Sequence, residues 1–232
     1  MGVVYGTSNL LLKSAFGAFG DLKVLGKENV PKKGALIVVA NHLSDVDPAL
    51  LNVCIPRKGR YMAKAEFFEK PVVSRFFKAY GAFPINENGR EFHAIKRSLD
   101  LLDHNEAMGI FPEGAKNPSV GRAMLGTAMI AIISGAPILP VGITGTERIS
   151  NWRKMCYPRG RFRINIGKPF TIPDTDGTRL RESVKPITDI IMRNIAELLP
   201  ENYRGEYHED WDGERAYTSP PDWWIRHPER KR

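Results

Sequence analysis

The chain has 232 residues, of which 42% are hydrophobic and 26% charged, a composition typical of a globular protein with a substantial core. Two cysteines exclude a disulfide framework, and the sequence shows neither a secretory signal nor an apolar run of the roughly 20 residues that a membrane-spanning helix requires. The formal net charge of +8 indicates an anionic partner: nucleic acid, a membrane surface or a phosphorylated substrate.

Residues 1–33 are predicted to form a helical segment ahead of the main domain. Leu12, Phe16 and Phe19 recur at helical spacing, and Lys13 lies off their stripe. This pattern favours a helix that packs on the domain. An amphipathic helix lying in a membrane interface is the alternative.

Strands and helices alternate between residues 34 and 200. The first strand, at 35–40, is an uninterrupted apolar run, which is typical of a strand buried on both faces. Further strands are predicted at 60–63, 82–85, 107–111, 138–143 and 161–166. Helices separate most of them, so the pattern predicts a single α/β domain with a mostly parallel sheet flanked by helices. Residues 201–232 are predicted to be an irregular tail.

Polar clusters follow two of the predicted buried strands directly. His42 and Asp47 come after the first strand, and Glu113 with Gly114 comes after the strand at 107–111. Because the carboxyl ends of parallel strands share one edge of the sheet, we expect both clusters to face the same crevice. A lysine at the end of another strand, at position 64, is expected to join them.

A histidine beside a carboxylate is suited to general base catalysis. The pKa of histidine lies near neutrality, and a neighbouring carboxylate orients the ring and stabilises the imidazolium. Asp47 is the first candidate for the partner of His42, and Asp45 is the second. The alternative is that Asp47 only caps the helix that begins at this Asp-Pro pair, while His42 is a structural loop residue.

The candidate nucleophiles and metal ligands do not form a recognisable site. Ser44 is too close in sequence to His42 for a nucleophile elbow, no G-x-S-x-G motif occurs, and Cys54 lies on the apolar face of a predicted helix. No third or fourth His or Cys stands at ligand spacing. The remaining reaction class is base-assisted attack by a substrate hydroxyl or water on an activated acyl or phosphoryl group.

Four short blocks carry a family resemblance. The first is the N-H-x-x-x-x-D pattern of Asn41, His42 and Asp47. The others are GAFPIN at 81–86, FPEG at 111–114 and APILPV at 136–141. In this order, within about residues 34–147, they resemble the blocks of the 1-acyl-glycerol-3-phosphate (lysophosphatidic acid) acyltransferases, a family of glycerolipid acyltransferases. The resemblance implies that family's α/β fold.

The resemblance also implies a reaction. His42 would deprotonate the free hydroxyl of lysophosphatidic acid, and Asp47 would orient His42. The hydroxyl would attack an acyl thioester carried by coenzyme A or acyl carrier protein, as a co-substrate, with no cofactor and no metal. The residues expected to bind substrate are Asn41, Lys64, Arg90, Glu113, Gly114, Lys116 and Pro140.

Two positions depart from the family pattern where phosphate is expected to bind. Glu87 stands where the second block normally ends in arginine, so Arg90 or Lys64 is expected to replace that arginine. Lys116 stands where the third block normally has arginine. Lysine keeps the positive charge but lacks the planar guanidinium that donates two hydrogen bonds to one phosphate.

Anionic lipid is the partner that best fits the basic charge. Trp223 and Trp224 precede a basic chain end, a combination typical of membrane interfaces, with a disordered tail as the alternative. We therefore expect a cytoplasmic enzyme of phospholipid biosynthesis, peripheral on the inner face of the membrane. The alternatives are a different lysolipid or amino-lipid acceptor, or a catalytically silent lipid-binding protein. No nucleic-acid motif accompanies the charge.

Overall fold

The computed structural model of the chain describes residues 2–85, 91–150, 152–172 and 180–207. Within these ranges one sheet is formed by β1 (Asp21–Leu25), β2 (Leu36–Ala40), β3 (Gly59–Lys64), β4 (Ala82–Ile85), β5 (Ala107–Ile110), β6 (Ile138–Thr144) and β7 (Arg161–Ile166). The helices are α1 (Gly2–Phe19), α2 (Asp47–Cys54), α3 (Pro71–Tyr80), α4 (Glu91–Asp103), α5 (Gly126–Ser134), α6 (Trp152–Cys156) and α7 (Leu180–Ala196).

The strand order of the sheet is β1-β7-β6-β2-β5-β3-β4. β6, β2, β5, β3 and β4 are mutually parallel, whereas β7 runs antiparallel to β6 and carries β1 parallel to itself. Every residue of β2, β5 and β6 is buried, which explains their uninterrupted apolar sequences. The carboxyl ends of the central strands therefore meet at one edge, where the polar clusters begin.

Helices cover both faces of the sheet. On one face α1 packs against α2, α3 and α6, and on the other α4 and α7 pack against α5. Each face has its own apolar core, built from alternate residues of the same strands. Phe16 of α1 is fully buried and meets Phe162 of β7 edge to face, with ring centroids 4.9 Å apart. The N-terminal helix is thus part of the domain's packing. Of the predicted apolar stripe, Phe16 is buried and Leu12 partly buried, whereas Phe19 is 55% exposed.

The predicted fold class is confirmed: an α/β domain with a mostly parallel sheet, flanking helices and an N-terminal helix. Pro71 is the first residue of α3 and follows a short 3₁₀ turn over Ala65–Phe68, a position at which its missing N–H costs no helical hydrogen bond.

The sheet extends beyond the predicted domain start. β1 lies within the segment predicted as a helical lead, and it pairs with β7 in register from Asp21↔Arg161 to Leu25↔Asn165. Only alternate residues of β1 are partly buried, so the apolar signal of this edge strand is weak.

The predicted tail begins with ordered turns. Two 3₁₀ turns, Glu201–Tyr203 and Gly205–Tyr207, pack on the domain, where the N–H of Val120 donates to the carbonyl of Tyr203 over 2.8 Å. Trp223, Trp224 and the basic chain end lie outside the described residues.

In the described part of the chain, no helix combines the length and the apolar character needed to cross a membrane.

Substitution of Gly109 tests how tightly the core is packed beneath the carboxyl edge of the sheet. It pairs with Tyr61, and a Cβ at position 109 would lie 2.1 Å from Cε1 of that ring. Because both residues are in central strands, the ring has little room to retreat. We expect Gly109→Ala to lower the free energy of unfolding by about 1–3 kcal/mol, measured by urea denaturation.

The matched control is Gly6→Ala in α1. A Cβ there meets nothing within 4 Å, and alanine favours the helix, so we expect no loss of stability. Equal stability of the two variants would contradict the tight contact between Tyr61 and Gly109.

Candidate active site

His42 and Asp47 lie together at the carboxyl edge of the sheet. His42 follows β2 by two residues, and its Nδ1 lies 2.9 Å from Oδ2 of Asp47. The same oxygen accepts the backbone N–H groups of Leu43, at 2.7 Å, and Ser44, at 2.8 Å. The loop from 42 to 44 therefore wraps around one carboxylate oxygen, which fixes the position of the histidine ring.

This geometry decides between the alternatives for the two aspartates. Asp47 is the first residue of α2, but the cap position is Val46, which makes no side-chain cap, and the Asp47 carboxylate points back into the loop. The interpretation of Asp47 as only a helix cap is therefore wrong. Asp45, the second candidate, lies in an ion pair with Lys116 instead.

The Asp47 carboxylate is fully buried, with an exposed fraction of 0%. Its second oxygen, Oδ1, is buried without a hydrogen-bond partner among the described residues. A buried carboxylate is costly unless it is compensated, and the His42 ring and two backbone N–H groups supply this compensation at Oδ2. The side chain of His42 stays 17% exposed.

Aromatic stacking holds the face of the His42 ring. The ring of Phe111, which follows β5 directly, lies parallel to it with a centroid distance of 4.2 Å and an interplanar angle of 24°. Phe111 stacks in turn with Tyr61 of β3 at 6.5 Å. With one face covered by Phe111 and Nδ1 engaged by Asp47, Nε2 is the ring nitrogen available to take a proton from a substrate.

Asn41 connects the end of β2 to β6. Its Nδ2 donates to the carbonyl of Ile143 over 2.9 Å, and its Oδ1 accepts the N–H of Ile143 over 2.8 Å. The side chain is 2% exposed. Asn41 was predicted to contact substrate. In the structure its buried amide makes two hydrogen bonds to the backbone of Ile143, as a neighbouring strand would, and this holds the residue before His42 in place.

Glu113 links the loop after β5 to the loop that carries His42. Its Oε1 accepts the backbone N–H of His42 at 3.4 Å, and its Oε2 accepts Nδ2 of Asn117 at 2.7 Å and the N–H of Gly121 at 3.1 Å. Burial raises the pKa of Glu113, and these hydrogen bonds oppose the rise. Glu113 was predicted to contact glycerol phosphate. In the structure its carboxylate holds the loop after β5 against the loop that carries His42.

The remaining predicted residues lie at different depths. Gly114 has a left-handed φ of +68°, and a Cβ there would lie 2.5 Å from Sδ of Met124, so glycine suits this turn.

Lys116 lies on the exposed side of the same loop. Lys64 is the last residue of β3, on the same sheet edge, whereas Pro140 is buried inside β6 opposite Val39. Arg90 and Glu87 lie outside the described residues.

Three contributors were missed from the sequence. Asn117 binds Glu113 and also donates its backbone N–H to the carbonyl of His42 over 2.9 Å. Gly121 supplies a backbone donor, and Phe111 supplies the stacking surface. Only Phe111 could have been noticed in the sequence, because it is the first residue of the FPEG block. Hydrogen bonds donated by backbone N–H groups cannot be predicted from residue types.

The geometry suits proton abstraction without a protein nucleophile at the histidine. The hydroxyl of Ser44 donates to the carbonyl of Ile149 over 2.7 Å and is buried, and burial raises the pKa of the Cys54 thiol to about 12. Neither group is disposed to attack a substrate. The arrangement is suited to base-assisted attack by a substrate hydroxyl or water, without a covalent intermediate on the protein.

Comparison with known proteins agrees with this class of reaction. The Acyltransferase family matches residues 21–144, from the first residue of β1 to the last of β6. The 1-acyl-sn-glycerol-3-phosphate acyltransferase of Bacillus subtilis (strain 168) is 29% identical over 188 residues, covering 81% of this chain and 92% of that protein. The protein of the same name from Saccharomyces cerevisiae is 25% identical over 77% of this chain and 61% of its own length.

A solved structure shows the same likeness. The crystal structure of the 1-acyl-sn-glycerophosphate (LPA) acyltransferase, PlsC, from Thermotoga maritima has a TM-score of 0.64 and 27% identity, covering 84% of this chain and 79% of that one. Because the family match spans more than half of the 232 residues, the chain belongs to the Acyltransferase family. The resemblance noted in the four sequence blocks is confirmed, and the chain is an acyltransferase.

Glu113 provides a test of the brace between the two loops. Glu113→Gln replaces one acceptor oxygen with an NH2 donor, which then faces either the N–H of His42 or the two donors of Gly121 and Asn117. We expect a loss of about 1–3 kcal/mol in the free energy of unfolding, because a buried donor is left without an acceptor. Urea denaturation measures this loss.

Glu201→Gln is the matched control, because Glu201 is exposed on a 3₁₀ turn. Its stability should stay within about 0.5 kcal/mol of the wild type. A Glu113→Gln protein as stable as this control would show that the brace does not hold the loops.

Proposed function

We propose that the protein transfers a fatty acyl group from a thioester donor to the free hydroxyl of lysophosphatidic acid, in phospholipid biosynthesis. The observation that carries this proposal is the buried Asp47 bound to Nδ1 of His42, with the ring open to the crevice. The relatives named 1-acyl-sn-glycerol-3-phosphate acyltransferase support lysophosphatidic acid as the acceptor.

The reaction follows from the chemistry of the pair. Nε2 of His42 takes the proton of the acceptor hydroxyl while the oxygen attacks the thioester carbonyl. Asp47 stabilises the imidazolium that forms, because it is a buried negative charge 2.9 Å from Nδ1. When the tetrahedral intermediate collapses, the carbon–sulfur bond breaks and the imidazolium returns its proton to the departing thiolate. The products are the new ester and a free thiol.

A thioester donor suits a site of this kind. The thiolate is a good leaving group, so the carbonyl needs no acyl-enzyme intermediate and no cofactor. Acyl-coenzyme A and acyl carrier protein present the same reactive group, and either fits the proposed step. The phosphate of the acceptor is proposed to bind at the same sheet edge, near Lys116 and Lys64, with Arg90 as a further cation.

The anionic partner is proposed to be a membrane surface, bound through α1. The inner side of α1 is fixed to the domain: the hydroxyl of Tyr80 donates to Oδ1 of Asn9 over 2.6 Å, and Phe16 is buried. Its outer side exposes Leu10 at 65% and Leu11 at 71%. A rigidly held helix with exposed leucines on a basic protein suits peripheral binding at the inner face of a membrane.

The proposed reaction is tested with the variant His42→Ala. Thiol release from acyl-coenzyme A or acyl carrier protein is measured with lysophosphatidate as the acceptor. Loss of a general base lowers the rate about 10²–10⁴-fold, and we expect a fall of this size in kcat.

His104→Ala is the control, because His104 is exposed and its Nδ1 contacts the carbonyl of Asp100 in the same helical turn, away from the carboxyl edge of the sheet. Its kcat should match that of the wild type, and circular dichroism at the assay temperature should show both variants folded. A fully active His42→Ala protein would refute the base mechanism.

Membrane binding is tested with the double variant Leu10→Asn, Leu11→Asn. Burying one leucine contributes about 1.5–3 kcal/mol, so we expect its partition onto vesicles to fall at least about tenfold. Co-sedimentation with vesicles of phosphatidylglycerol and phosphatidylcholine measures the partition.

Ile133→Asn is the matched control. Ile133 is 49% exposed, but it lies on α5 and so on the opposite face of the sheet. This variant should bind vesicles like the wild type. An equal loss in both proteins would rule out α1 as the docking element.

A further inference from the structure

One ion pair joins the two loops of the active site on their exposed side. Nζ of Lys116 lies 2.9 Å from Oδ2 of Asp45. Asp45 belongs to the loop that carries His42, and Lys116 belongs to the loop that carries Glu113. The two side chains are 76% and 49% exposed, respectively, so the pair faces solvent rather than the core.

The pair lies close to the catalytic centre in the folded chain. Asp45 is three residues after His42, and the neighbour of Lys116, Asn117, donates its backbone N–H to the carbonyl of His42 over 2.9 Å. The acceptor must bring its hydroxyl to His42, so its headgroup has to lie beside these loops. Lys116 is therefore a cation within reach of the headgroup, and Asp45 already neutralises it.

An exposed ion pair is easily exchanged. Pairs of this kind contribute little to stability, because both charges are well hydrated and the lysine ammonium is a mobile point charge. A phosphate monoester carries more negative charge than a carboxylate and can replace it on the lysine. The Asp45 carboxylate then loses its partner and remains as a negative charge beside the bound phosphate.

We infer that Asp45 is a specificity-determining residue that competes with the acceptor's phosphate for Lys116. The competition weakens binding of phosphomonoester acceptors, and it acts through Lys116 rather than through the base. This inference rests on the proposed function, since it concerns the headgroup of the same acceptor.

The test is a cycle of the variants Asp45→Asn, Lys116→Gln and the two combined. The KM for a short-chain, water-soluble lysophosphatidate is measured at saturating acyl donor. Exposed pairs are worth up to about fivefold in affinity, so Asp45→Asn should lower this KM about three- to fivefold. Lys116→Gln should raise it, and Asp45→Asn should have no further effect in the Lys116→Gln background.

Glu106→Gln is the control for the loss of one negative charge. Glu106 pairs with Arg60 at the amino ends of β5 and β3, on the opposite edge of the sheet, so its KM should match the wild type. An unchanged KM in Asp45→Asn would overturn the inference. An equal fall with and without Lys116 would also overturn it, because it would show simple charge repulsion instead of competition.

The two proposals fail in different ways. If the wild type acylates lysophosphatidate and only the cycle gives the wrong result, the inference about Asp45 is refuted and the proposed function stands. If the wild type turns over no lysophosphatidate with either thioester donor, the proposed function is refuted, and the inference with it.

Discussion

The buried carboxylate of Asp47 is the constraint on which the rest of the site depends. A charge with no solvent exposure needs donors, and one oxygen obtains three of them, from the ring of His42 and the backbones of Leu43 and Ser44. To supply these donors the chain must turn back on itself directly after β2. The same turn places the imidazole at the mouth of the crevice, so compensating the buried charge also positions the base.

Topology then brings the second loop to this turn. β2 and β5 are neighbours and parallel, so the residues that follow them emerge side by side. Glu113 accepts the N–H of His42, Asn117 donates to its carbonyl, and Phe111 covers the ring. The peptide groups flanking the base are therefore held from a neighbouring strand. The two loops are therefore joined by several contacts beside the base, while the Asp45–Lys116 pair joins them on their exposed side.

The sequence predicted the parts of the molecule that carry a local or repeated signal. The uninterrupted apolar runs of β2, β5 and β6 predicted buried parallel strands, and the motif spacing predicted that His42 and Asp47 belong together. β1 was missed because its alternation spans only five residues, and its pairing partner β7 is far along the chain. The choice between cap and orienting carboxylate needed coordinates, because an aspartate at a helix start satisfies both patterns. The ion pair between Asp45 and Lys116 joins residues 71 positions apart, and no local sequence pattern predicts it.

The Asn41 amide has a wider consequence for how such an enzyme can change. It fastens the residue before the base to the backbone of Ile143, inside the most shielded layer of the fold. The chemical step is thereby tied to structure that tolerates little alteration. The Asp45–Lys116 pair, by contrast, is made by exposed side chains, which can be exchanged without disturbing that layer. Substitutions at this pair are therefore expected to leave the position of His42 unchanged.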